Sequence, residues 1–166
     1  AGARLTSHVV ELMRNNQSDE VKRGWWVTQK LLEEAQSLAR ADGFKLAMFI
    51  IPTVYEVDER SYLDLIAAHQ LNGSDLNRDK PVETLTALLD GKDIQAINLL
   101  PEFRTWSSES GQQIFIQGDG HFNKEGHRLA ASVVSRNLAR RIHEWESFDR
   151  CRITRAEMTH NSARAE

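Results

Sequence analysis

A chain of 166 residues, 40% of them apolar, is long enough for one domain with a substantial core. Its 21 basic and 24 acidic residues leave a net charge of −3, which excludes the basic footprint of a nucleic-acid binder. No apolar run approaches the roughly 20 residues of a membrane span, and the lone Cys151 excludes an internal disulfide or a multi-cysteine zinc site. Cys151 lies in polar surroundings and is read as a bystander thiol.

Leu5, Val9, Leu12 and Met13 recur at helical spacing and predict a short amphipathic helix over residues 4–15. Ser18-Asp19-Glu20 reads as the cap and acidic first turn of a longer helix ending near Gly43. Its inward positions are Val21, Trp25, Leu31, Leu32, Ala35, Leu38 and Ala39. Trp25 and Trp26 point in different directions, which places one in the core and the other partly in solvent.

The continuous apolar run 46–51, closed by Pro52, predicts a strand buried on both faces, as in a parallel sheet. Helices are predicted over 61–71 and 81–89, separated by the turn Asn72-Gly73-Ser74-Asp75. A second strand covers 94–100, stopped by Pro101. A loop or short helix follows through Trp106, then a short extended piece over 113–116.

Asn123 is placed to cap a last helix that buries Leu129, Val133, Val134, Leu138, Ile142 and Trp145. Arg136, Arg140 and Arg141 form a solvated basic face on it. The polar, aperiodic composition beyond Phe148 divides the chain into an α/β unit over 1–148 and a disordered tail over 149–166.

Helices alternating with strands make this an α/β chain with parallel strands. Two strands and a weak third fall short of the five or six of a typical sheet, so part of a larger sheet is expected.

The most telling stretch is Gly118-Asp119-Gly120-His121-Phe122-Asn123-Lys124-Glu125-Gly126-His127. An aspartate two residues before a histidine in a tight turn can accept the Nδ1 proton, leaving Nε2 to take one from a nucleophile or water. The bland reading is a turn in which Asp119 caps local backbone and His121 is solvated. A metal reading would add His127 to Asp119 and His121. His127 falls a full turn into the last helix, however, and no further ligand has suitable spacing, so neither metal nor cofactor is expected.

The block Asp119-Gly120-His121-Phe122-Asn123-x-x-Gly126-His127-Arg128-Leu129-Ala130-Ala131 resembles the last motif of SGNH (GDSL-like) hydrolases. Upstream, Trp25, the strand ending Ile50-Ile51-Pro52, and Pro81 through Arg104 follow the second half of such domains in order. The resemblance covers roughly residues 4–145, and it is strongly specific in the terminal block alone. It implies a three-layer α/β/α, flavodoxin-like domain represented by its C-terminal half. Asp119 and His121 would be two members of a Ser-His-Asp triad, with Phe122 walling the pocket and Asn123 positioning the turn.

The implied activity is hydrolysis of a small acyl ester, carbohydrate- or lipid-linked, or acetyl transfer to a sugar by the same triad. A non-catalytic binding module that associates through an uncovered sheet edge is the reading from a different class. No Gly-Asp-Ser block occurs in the chain, so the nucleophile is expected on a preceding segment and these residues alone are expected to be inactive. Ser7, Ser74 and Ser110 make poor substitutes. Ser107 and Ser108, in a polar loop before the histidine, come nearest.

Overall fold

The computed structural model describes residues 2–92 and 94–162, with the backbone alone for 2–6 and 146–162. Helix α1 (Gly2–Met13) leads to α2 (Asp19–Ala41). Ser18 begins α2 as its chemistry predicts: the hydroxyl accepts from the Val21 N–H at 3.3 Å. Asp19 and Glu20 set negative charge against the positive end of the helix dipole.

The inward face of α2 is narrower than the spacing predicts. Leu32 and Ala39 are buried, whereas Leu31 and Leu38 are exposed together with Trp26 and Val27. Trp25 is only half-buried, so neither tryptophan reaches the core.

Strands β1 (Leu46–Ile50) and β2 (Ile94–Asn98) pair in parallel, from Leu46 opposite Ile94 to Ile50 opposite Asn98. Between them run α3 (Val54–Val57), α4 (Glu59–Ala68), a 3-10 turn (Gly73–Asp75) and α5 (Lys80–Leu89). The second strand is shorter than predicted because α6 (Leu100–Ser110) takes over its last residues. Pro101 lies in the first turn of α6, where its missing N–H costs no helical hydrogen bond. Leu99 still donates to the Ile50 carbonyl at 3.1 Å.

The chain is thus α/β with a parallel sheet, two-stranded among the described residues. β1 was predicted to be buried on both faces, yet Phe49 and the following Ile51 are exposed. β2 is the one strand neighbour of β1 in this sheet, so its pairing covers only one edge.

The core joins Leu32, Ile50, Ile94, Ile97 and Leu99 to Phe103, Ile114, Phe115 and Val133. Phe103 has no exposed surface. A second cluster packs Val10 and Met13 of α1 against Leu65 and Leu76. Reciprocal bonds from Asn15 N–H to the Asp75 carbonyl and from Asn77 N–H to the Met13 carbonyl, both 2.8 Å, secure it.

Helix α7 (Lys124–Ser162) seals the core with Val133, flanked by the partly buried Leu129 and Val134. Ile142, predicted inward, is exposed. Where a disordered tail is predicted from residue 149, the backbone continues as helix to Ser162. That stretch holds neither glycine nor proline, so an established helix propagates through it at little cost. Residues 163–166 of the predicted tail lie outside the described residues.

Candidate acid–base site

The extended piece after α6 folds back on itself. Phe115 and Phe122 form an antiparallel bridge, with Ile116 N–H donating to the His121 carbonyl at 2.8 Å and Asn123 N–H to that of Ile114 at 3.0 Å. The Asp119 N–H closes the tip by donating to the Ile116 carbonyl at 3.1 Å. Gly118 and Gly120 have φ of 75° and 81°, a left-handed conformation that costs other residues roughly 1–2 kcal/mol each. The two glycines let the chain reverse within so few residues.

Below the tip, the turn is anchored to the core. The Phe122 ring centroid lies 5.1 Å from that of Phe103 and 5.3 Å from that of Phe115. Phe122 therefore serves as an inward anchor, where the resemblance implied a pocket wall. Asn123 caps α7 as expected, its Oδ1 accepting from Glu125 N–H at 2.9 Å and Gly126 N–H at 3.0 Å. Its Nδ2 donates to the Gln113 carbonyl at 2.7 Å, tying the helix start to the opposite arm of the hairpin. A Cβ at Gly126 would lie 2.1 Å from the Ile114 carbonyl oxygen, so glycine alone permits this approach.

On this platform the Asp119 Oδ1 and His121 Nδ1 are hydrogen-bonded. That bond, assisted by attraction to the imidazole, holds the Asp119 carboxyl below the usual aspartate range. With Nδ1–H donated to the carboxylate, the lone pair resides on Nε2. The His121 side chain is 83% exposed, so Nε2 is open to an incoming group. Among the described residues no serine hydroxyl is hydrogen-bonded to His121.

A cleft of about 660 Å³ opens beside the turn, lined by the loop 111–120, which includes Asp119, by α3 and by Ser107. The serines predicted in a loop occupy the end of α6 instead. Ser108 and Ser110 donate to the Thr105 and Trp106 carbonyls at 2.9 and 2.7 Å, which commits both hydroxyls to the helix. Ser107 lines the cleft. Ser74 belongs to the 3-10 turn and Ser7 to α1.

His127 stands edge-on to the Phe122 ring at 5.8 Å between centroids. Among the described residues no group of three or more His, Cys, Asp or Glu side chains is arranged to hold a metal ion. No helix among them is long and apolar enough to cross a membrane.

The linear sequence did not disclose how the far wall of the cleft is held. Glu56 of α3 is 2% exposed and accepts from the Thr53 N–H at 2.7 Å. Arg104 donates to the Glu56 carbonyl at 2.8 Å and grips the Asp79 carboxylate with two nitrogens. Arg78 donates to the Tyr55 carbonyl at 2.7 Å and lies over the Tyr62 ring. Two guanidiniums thus fix the carbonyl end of α3.

Burial pushes the Glu56 carboxyl up, against the opposing pull of the Thr53 bond and the Arg104 charge. The Arg104 bond holds Asp79 down. The Thr53-Val54-Tyr55-Glu56 spacing is a capping-box pattern that could have flagged this turn.

Compared with protein-family models, curated proteins and solved structures, the chain finds no match.

Proposed function

We propose that the chain carries the acid–base half of an SGNH-like ester hydrolase. Asp119 orients His121, and His121 acts first as general base and then as general acid in acyl transfer from a serine on a segment outside these residues. The domain would be a three-layer, flavodoxin-like sheet of which these residues form the C-terminal portion. The observation that supports this most is the Asp119–His121 hydrogen bond through Nδ1 at the tip of an anchored hairpin, with the His121 side chain exposed and Asp119 lining a cleft. An oriented base alone has no donors to stabilise an oxyanion, so residues 1–166 by themselves are expected to be inactive on esters.

The test uses the protein expressed from its natural reading frame, assayed on short-chain acyl esters. Ester cleavage or acyl transfer to a sugar is expected, with His121→Ala lowering kcat about a thousandfold or more. A protein that neither cleaves nor transfers, or whose activity survives His121→Ala, would overturn the proposal. The exposed Phe49 and Ile51 favour one other reading, a non-catalytic module that binds through the edge of β1. An inactive full-frame protein would support that second account.

A further inference from the structure

We propose that the cleft beside Asp119 receives an uncharged carbohydrate chain. This assignment rests on the ester-hydrolase reading and adds the class of molecule that carries the acyl group. The cleft's volume, about 660 Å³, falls within the roughly 300–1,000 Å³ usual for small-ligand sites.

Its chemistry narrows the ligand further. Gln112, Gln113 and Gln117 line it, and their side-chain amides make no hydrogen bond to the described residues. Each amide offers both a donor and an acceptor, which is the complement of a sugar hydroxyl. Ser61 and Ser107 add hydroxyls, and the half-buried Tyr55 adds a ring that can lie against the apolar face of a pyranose.

Val54, Val57, Ile114, Phe115 and Ile116 also line the cleft, so it suits a ligand that presents both hydroxyls and an apolar face, as a pyranose does. A long acyl chain would meet the apolar side chains but return no hydrogen bond to the amides it covers. Among the described residues, the only charged ones lining the cleft are the acids Asp58 and Asp119. Asp58 is committed to capping α4 through the Ser61 N–H at 2.7 Å. With two carboxylates and no lysine or arginine among the described lining residues, the field opposes phosphorylated ligands and uronic acids. His121 lies outside the lining, so the sugar would occupy the cleft while the ester projects past Asp119 toward Nε2.

The test is a two-dimensional amide NMR titration of the protein expressed from its natural reading frame with hexamers of glucose, xylose, N-acetylglucosamine and a uronic acid. At least one neutral hexamer is expected to shift the signals of Tyr55, Gln112, Gln113 and Gln117, and the uronate hexamer to leave them unmoved. Gln113→Ala with Gln117→Ala should weaken that binding about three- to tenfold, the loss of one or two net hydrogen bonds. Failure of every neutral hexamer to bind, equal or tighter binding of the uronate, or shifts confined to another face would each overturn the assignment. Because this readout needs no nucleophile, it separates the two ideas. Ester cleavage without sugar binding defeats this assignment alone, and sugar binding without cleavage in the full-frame protein defeats the hydrolase reading alone.

Discussion

Asp119 and His121 are linked by one hydrogen bond in a solvent-facing turn, and that bond has a measurable signature. The Asp119 carboxyl titrates lower in the folded chain than in the unfolded one. Its favourable contribution is therefore complete above the unfolded value and is lost as pH falls through the folded value. Water screens the pair, so global stability is a poor reporter. The side-chain carboxyl carbon, followed by NMR, is the better one. Its midpoint is expected to rise toward the ordinary aspartate range in His121→Ala, and an unchanged midpoint would show that the pair is uncoupled.

Gly126 makes a prediction of opposite sign to the usual rule. Alanine in a helix normally gains roughly 0.5–1 kcal/mol over glycine. Here the added methyl would meet the Ile114 carbonyl oxygen, and overpacking of this kind typically costs about 1–3 kcal/mol or more. Gly126→Ala should therefore lower Tm in a thermal melt, and a variant that melts at or above the wild type would contradict the close approach.

At the scale of elements, the short helix α3 depends on a buried acid. The folded-state pKa of Glu56 is raised by burial, so its contribution is most favourable at low pH and declines as pH rises through the folded value. Glu56→Gln keeps an acceptor for the Thr53 N–H and removes the buried charge. Relative to wild type, the variant should gain Tm as pH rises from the ordinary glutamate range through the raised folded value, and the gap should then level off. Parallel pH profiles would mean that Glu56 does not ionise at a cost.

Element ends were legible where a local side chain makes them: Ser18 starting α2, Asn123 starting α7 and proline closing β1. The Asp119–His121 pairing was legible for the same reason, because both partners share one turn. Burial was less so. Leu31, Leu38 and Ile142 have the right helical spacing yet face solvent, since spacing describes a helix and not what lies opposite it. The Arg104 contact with Glu56 spans 48 positions, and no local pattern encodes it.

For the whole molecule, the unresolved tension is between a well-packed core and the apolar surface around β1. Phe103, Leu99, Met13 and Val133 are almost wholly enclosed, which gives the chain a real interior. At the same time Trp26, Val27, Leu31 and Leu38 of α2 are exposed, as are Phe44, Phe49 and Ile51 at and around β1. Single exposed apolar residues are ordinary, but seven between residues 26 and 51 favour contact with another apolar surface. One edge of β1 also lacks a strand partner within the described sheet, and unpaired strand edges template association.

Residues 1–166 in isolation should therefore associate with themselves, the weight-average mass in sedimentation velocity rising with concentration. Leu31→Glu with Phe49→Lys replaces two exposed side chains by charges, the device that natural edge strands use against pairing. The double variant should sediment as a monomer at concentrations where the wild type does not. A wild-type chain that stays monomeric throughout would mean that β1 and α2 tolerate water unaided.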